Sequence, residues 1–330
     1  MVRFGVIGTN WITESFIQAA SEVEDFQLTA VYSRTEDRAQ EFANKWNIDN
    51  TFTELEKFAT SDQVDAVYIA SPNAMHADQA ILCMKSGKHV LVEKAMASNQ
   101  QEVEQMIQTA KDNKVLLMEA LKTTHLPSFH LIRENLHKIG KVRRYFASFC
   151  QYSSRYDAYK EGKVLNAFKP ELSNGSLMDI GIYCVYPMVA LFGEPDNVQA
   201  SCYMLESGVD GQGNILFDYE EDGINGLVMY SKISNSYVPS EIQGENGSII
   251  IDKISELSHV EIKYNDGSVE KLEVEQKSNT MFYEAQHFVQ LIQTGKLESD
   301  VNSYFNSLTT AKILEDARKQ IGLTFPADKR

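Results

Sequence analysis

The feature that most constrains this chain is the regular exchange of two hydrophobic patterns over its first 120 residues. Short apolar runs at 2–7, 27–32, 64–70, 89–92 and 115–118 read as buried strands. Between them, 11–20, 36–46, 74–85 and 98 to about 112 carry helical spacing. Strand and helix alternating in this way predict a parallel α/β sheet. Local signals agree: Phe42 and Trp46 stand four apart on one helix face, Gly87 stops the third helix, and Ser98 is read as the cap of the fourth.

Beyond Glu119 the texture changes. Residues 127–137 read as a helix, 141–149 as a strand, and 177–191 as a strongly apolar, buried helix. From 198 to 274, short alternating segments are divided by Asp210-Gly211, Asp222-Gly223, Glu245-Asn246-Gly247 and Asp266-Gly267. Those dipeptides are turn signals, so this stretch predicts an antiparallel sheet. Helices at 280–293 and 303–320 close the chain, with no internal repeat and no long linker. The expected division is residues 1–120 and 121–330, each large enough to bury its own core.

Composition narrows the function classes. Hydrophobic residues at 43% and charged residues at 23% are globular values. The formal net charge is −15, from 31 Lys+Arg against 46 Asp+Glu, which repels a phosphate backbone and argues against nucleic-acid partners. Cys83, Cys150, Cys184 and Cys202 form no CxxC pair and are read as buried thiols of a reducing compartment. The N-terminal apolar run lacks the length of a signal peptide. No stretch reaches the roughly 20 apolar residues of a membrane span, so the expectation is a cytoplasmic protein without a membrane partner. His130, His137, His259 and His287 have no metal-ligand spacing, and no metal is expected.

The first strand–turn–helix unit runs Gly5-Val6-Ile7-Gly8-Thr9-Asn10-Trp11-Ile12-Thr13. A helix N-terminus after a parallel strand presents free N–H groups and a positive dipole end, which suits a phosphate. Against the GxGxxG pattern the three glycine places fall at Gly8, Asn10 and Thr13, and only the first is glycine. Asn tolerates a left-handed backbone better than most residues, yet its side chain hinders close approach of a pyrophosphate. The end of the second strand selects the cofactor. An acid there binds the ribose 2′-hydroxyl of NAD, whereas this chain has Tyr32-Ser33-Arg34-Thr35, with Arg38 one turn on. Ser33 can donate to a phosphate and Arg34 can pair with it in a fork, which predicts NADP(H) in preference to NAD(H); the plainer alternative makes Arg34 a solvated surface residue.

Ligands of such sheets sit beyond the carboxyl ends of the strands. Two segments there carry chemistry: Ser71-Pro72-Asn73-Ala74-Met75-His76, and Glu93-Lys94-Ala95. A strand-end lysine beside a nicotinamide can orient a carbonyl and stabilise negative charge. Gly8-Thr9, the SPN-x-x-H segment, the run from Gly87 to Lys94 and Met178-Asp179-Ile180-Gly181-Ile182-Tyr183 occur in this order along the chain. In them the whole chain resembles the glucose–fructose oxidoreductase and inositol dehydrogenase family, often called Gfo/Idh/MocA. The resemblance implies an N-terminal Rossmann domain and a C-terminal α/β domain whose open, mostly antiparallel sheet often serves as a dimer surface. It further implies that Lys94 contacts substrate and nicotinamide, and that Asp179 and Tyr183 are the acidic residue and the proton donor. Many members carry His at the last place. Tyr is similar to the subgroup that includes dimeric dihydrodiol dehydrogenase, which mostly uses NADP(H).

The physics of this assignment is simple. Asp179 and Tyr183 are i,i+4, hence on one helix face. A free Tyr has a pKa of about 10, and a neighbouring Lys94 cation stabilises the phenolate and brings it toward the operating pH. Ala95 stands where the family often has Pro, so a trans Lys94–Ala95 bond is expected. His76 is read as shaping the nicotinamide pocket. Glu93 either holds Lys94 or contacts the cofactor, and Glu119 either lines the cleft or is structural. His125, Arg155 and Tyr156 are further candidates for substrate contact. The expected protein is an oxidoreductase moving hydride between NADP(H) and a hydroxyl or carbonyl of a sugar-like or dihydrodiol-like molecule, as a homodimer or higher homo-oligomer. The rival reading is a non-catalytic NADP(H)-sensing regulator.

Overall fold

The computed structural model describes residues 1–329. The chain begins with β1 (Val2–Ile7), α1 (Trp11–Ala20), β2 (Phe26–Tyr32), α2 (Glu36–Trp46), β3 (Asn50–Phe52), α3 (Leu55–Thr60), β4 (Ala66–Ile69), α4 (His76–Lys85), β5 (His89–Glu93), α5 (Gln100–Asn113) and β6 (Leu117–Ala120). It continues through α6 (Pro127–Asn135), β7 (Val142–Cys150), α7 (Ser154–Lys160), a π-helical turn (Leu177–Gly181) and α8 (Ile182–Phe192). Then come β8 (Asn197–Met204), β9 (Asp210–Tyr219), β10 (Ile224–Ser231), β11 (Ser240–Gly244), β12 (Gly247–Ile251), β13 (Val260–Tyr264), β14 (Val269–Lys271), α9 (Met281–Gln293) and α10 (Tyr304–Gln320). The chain forms two compact units, one from Met1–Lys122 with Lys277–Leu308, the other from Thr123–Gln276 with Thr309–Arg330.

In the first unit six parallel strands lie in the order β3-β2-β1-β4-β5-β6. This is the Rossmann order, and the chain direction across the sheet reverses between β1 and β4. β4 is buried along its whole length, which explains why it reads as a continuous apolar run with no alternation. One face of the sheet is closed by a segment from the far end of the sequence. Met281, Ala285 and Phe288 of α9 join the core of Phe4, Phe16 and Ala19, with the Phe4 and Phe288 rings 5.9 Å apart. The sequence division at residue 120 missed this return of 277–308. It also missed β3 and α3, which at three and six residues are too short to establish a period. The cap of α5 is Asn99 and not Ser98: Asn99 Oδ1 accepts from Glu102 N, while Ser98 N donates to the Glu102 carboxylate.

The second unit is built on an eight-stranded sheet, β14-β13-β12-β11-β7-β10-β9-β8. All its pairings are antiparallel except β7 with β10. β9 alternates buried and exposed residues with period two from Gly211 on, as a sheet with one packed face requires. Asp210-Gly211 is not a turn but the start of β9, whereas Asp222-Gly223 and Asp266-Gly267 do lie between paired strands. α8 packs on the sheet, and the Tyr145 hydroxyl of β7 donates to Cys184 O at 2.9 Å. The segment Pro170–Phe192 is, by length and composition, apolar enough to cross a membrane, unlike the expectation from the bare sequence, and most of it is buried inside the protein. All four cysteines are free thiols; Cys83 and Cys184 are buried, and Cys150 and Cys202 only partly so.

Candidate functional site

The β1–α1 loop leaves the sheet where the strand order reverses, the position at which such sheets take ligands. Gly8 has φ +106, and a Cβ there would lie 2.7 Å from Ala70 O, so both backbone conformation and space require glycine. Asn10 departs from its expected role. Its φ is −100, not left-handed, and it is the N-cap of α1. Its Oδ1 accepts from Ile12 N at 3.1 Å and Thr13 N at 3.2 Å, and its Nδ2 donates to Ala70 O at 2.8 Å. Glu14 N also bonds to Asn10 O, so three of the first four amides of α1 are directed at Asn10. Thr13, in the third glycine place, is fully buried. Trp11 is 67% exposed and Ile12 packs against the core.

At the end of β2, Ser33 N donates to Phe52 O and Arg34 is exposed. Arg38 is tied to the loop: its Nε reaches Thr9 Oγ1 at 3.1 Å and its NH2 reaches Thr9 O at 2.7 Å. Its remaining nitrogen pairs with Glu41 at 2.7 Å, so its charge is shared.

The SPN segment and the Glu93-Lys94-Ala95 segment meet through His76. The ring is fully buried, with Nε2 2.8 Å from Ser71 O and Nδ1 3.0 Å from Ala95 O. Burial pushes its pKa down against the pull of these carbonyls, and a neutral imidazole can donate to only one of them. His76 is thus a clamp between two loops. Ser71 Oγ donates to Gln79, Pro72 opens the short 3-10 turn Asn73–Met75, and Asn73 is buried. The Lys94–Ala95 bond is cis, contrary to expectation. The loop is held on both sides: His76 at Ala95 O, and Met96 N donating to Glu119 Oε1 at 2.8 Å.

Lys94 is half-buried and lies at the edge of a set of buried acids. Tyr68 OH donates to Glu93 Oε1 at 2.5 Å, and burial pushes the Glu93 carboxyl up while Lys94 pulls it down. Burial likewise pushes Glu119 up to about 7, against hydrogen bonds from Ser307 and Met96 N. A third acid, Glu284 of α9, is fully buried and held well above the usual carboxylate range by burial and by the charge of Glu93. Sequence reasoning missed Glu284, although the periodicity signals it: with Met281, Ala285 and Phe288 on the buried face, position 284 falls on that same face.

The second unit places Asp179 in the π-turn and Tyr183 in the first turn of α8, so the pair spans a widened turn and not one regular α-helix. Such π-turns recur at functional positions. Both residues are half-buried, and the Tyr183 ring meets Phe149 edge-on at 5.6 Å. Lys232 Nζ is paired with Asp179 Oδ2; this buried lysine had no signal in the sequence. Of the weaker candidates, His125 is buried, Arg155 is exposed, and Tyr156 stacks on Tyr159 beside Phe168.

These features agree with known proteins. Residues 2–121 match the family described as an oxidoreductase family with an NAD-binding Rossmann fold, and residues 131–250 match the Gfo/Idh/MocA C-terminal domain. The chain is 58% identical over 329 residues to scyllo-inositol 2-dehydrogenase (NADP(+)) IolU of Bacillus subtilis, covering 100% of each chain. It is 31% identical to trans-1,2-dihydrobenzene-1,2-diol dehydrogenase of Mus musculus, covering 100% of this chain and 99% of that one. Levoglucosan dehydrogenase, solved in complex with NADH and levoglucosan, shares the fold with TM-score 0.86 at 19% identity, covering 97% of each chain. The protein is a member of the Gfo/Idh/MocA family of oxidoreductases, acting on CH–OH groups.

Proposed function

We propose that this protein is an NADP(H)-dependent polyol dehydrogenase whose substrates include scyllo-inositol or a closely similar cyclic polyol. The observation that carries the reading is a Rossmann loop, shaped by Gly8, facing a second strand that ends in Ser33-Arg34 instead of an acid. The relative with NADP(+) in its name, similar over its full length, supports it. The donor set suits the cofactor. Ser33 and Arg34 hold the 2′-phosphate. Because Asn10 receives three amides of α1, the pyrophosphate is left to the loop amides of Thr9, Asn10 and Trp11.

Bound NADP+ supplies the hydride acceptor, C4 of its nicotinamide. As the phenolate, Tyr183 would take the proton of the substrate hydroxyl while the substrate carbon that bears it gives up hydride, and would return the proton when the carbonyl is reduced. Lys94 orients the oxygen and stabilises charge developing on it. Asp179 orients the proton-transfer group. The exposed Tyr203 and Leu216 of the large sheet, 58% and 51% accessible, offer a face for a homodimer, which light scattering at micromolar concentration would reveal.

The test is steady-state oxidation of scyllo-inositol with each cofactor. NADP+ is expected to give at least tenfold higher kcat/KM than NAD+, and Arg34→Ala to raise the NADP+ KM about tenfold, the scale of one charge-assisted bond. An NAD+ preference would overturn the Ser33-Arg34 argument.

A further inference from the structure

We propose that Lys232 is a positioning residue for the proton-transfer pair, holding Asp179 in place across the π-turn with Asp210 as its second counter-charge. The inference rests on the role given above to Asp179 and Tyr183. Three elements converge on this arrangement. Lys232 follows the last residue of β10, and its backbone N donates to Gly211 O at 2.9 Å, which sets it beside Asp210 at the start of β9. Asp210 Oδ2 accepts from Leu177 N at 2.7 Å, and Ser176 Oγ donates to Gly211 O at 2.6 Å, so the start of β9 grips the first residues of the π-turn. At Gly175, with φ +143, an added Cβ would collide with the Asp210 carboxylate; glycine is what lets that carboxylate reach the turn.

Lys232 itself is buried, paired with Asp179 and 5.4 Å from the Phe168 ring centroid. A buried ammonium must keep its counter-charges, because an unpaired buried charge is strongly destabilising. That requirement fixes the Asp179 carboxylate in one orientation. Removing the ammonium takes away the ion pair that orients this carboxylate, and misplacement by about 1 Å can cost two orders of magnitude in rate. Among the described residues, Asp210 of β9 feels the charge of Lys232 and in turn acts on Tyr230 of β10 and Cys202 of β8, while Tyr183 follows Asp179 by four residues. Burial pushes Asp210 up to about 6 while Lys232 pulls it down.

The experiment compares Lys232→Arg, Lys232→Met and the double variant Lys232→Met/Asp210→Asn, which avoids leaving the buried Asp210 carboxylate without its cation. Substrate is the polyol the wild-type protein oxidises fastest, and Trp11 fluorescence reports NADPH binding. The double variant should fold and bind NADPH as wild type does, with kcat 10- to 100-fold lower and KM within threefold. Loss of a nearby cation raises the proton affinity of every neighbouring acid, so the acid limb of the rate–pH profile should move to higher pH. Lys232→Arg keeps the charge and should restore the limb.

A double variant with wild-type kcat and pH profile overturns the proposal. So does a loss of kcat that shifts no limb and that Arg does not rescue, since that is the signature of a purely structural lysine. Tyr183→Phe, measured alongside, separates the two levels. If it loses turnover while the Lys232 variants keep theirs, only this inference falls; if it keeps turnover, the site assignment falls and this inference with it.

Discussion

The two units bury charge in opposite arrangements. In the first, the acids Glu93, Glu119 and Glu284 are inside and the lysines Lys94 and Lys122 are half-exposed. In the second, Lys232 is inside and its partner Asp179 is 32% exposed. Burial penalises the charged form in both places, yet the results differ. Burial, and on Glu119 and Glu284 also the charge of Glu93, pushes the three acids toward the neutral form. A lysine set against Asp179 and Asp210 restrains them. The first arrangement makes a strand-end loop whose protonation responds to pH. The second makes a fixed support for one carboxylate beside the residue assigned to proton transfer.

That contrast can be broken or sharpened by measurement. The largest effect is expected from Tyr183→Phe, which removes the proposed proton-transfer group and should lower kcat about 10²- to 10⁴-fold. NADPH binding, read at Trp11 in the first unit, should stay at its wild-type value; a matching loss of both would mean the substitution disturbs the fold and not the chemistry.

Next is Glu119→Gln. The Glu119 carboxyl is raised from its ordinary 4.5 to about 7, a difference on the order of 3 kcal/mol. Because its folded value lies above the unfolded one, the folded state binds more protons between these values. Its favourable contribution is complete below about pH 4.5 and is lost as pH rises to about 7. A glutamine stays neutral and can still accept from Met96 N. Denaturant titrations from pH 4 to 8 should therefore show a shallower fall in stability for the variant. A slope equal to that of the wild type would mean Glu119 is already ionised when folded.

The smallest effect is expected at Asn10. Replacing this cap with glycine costs only a few tenths of a kcal/mol in stability. It releases the Ile12 and Thr13 amides that Asn10 now receives. NADP+ affinity should rise severalfold. Unchanged affinity in fluorescence titration would show that the pyrophosphate makes no use of those amides.

Much of this was legible in the sequence, for identifiable reasons. Buried parallel strands are continuous apolar runs, so β1, β4 and β5 stood out with correct order and spacing. Gly8 was readable because the turn that follows β1 requires positive φ. The segments around Ser71 and Glu93 were readable because each carries polar chemistry at the end of an apolar strand, whereas Asp179 was singled out by the family resemblance. Asp210 was hidden by its own neighbour: Asp-Gly is a turn signal, and the same dipeptide here begins a strand. Lys232 follows a strand and reads as an ordinary surface cation until Gly211 O and Asp179 are found against it.

The sequence by itself determined the parallel sheet, the glycine turn that follows β1 and the oxidoreductase class, because local periodicity and residue chemistry act over a few neighbours. Only the tertiary structure decided that residues 277–308 return to the first unit, that His76 joins two loops, that Asn10 caps a helix, and which charges are inside. Those outcomes depend on contacts between residues far apart in the chain. Whether a charged side chain meets water or a partner is set by what packs over it, which no local pattern specifies.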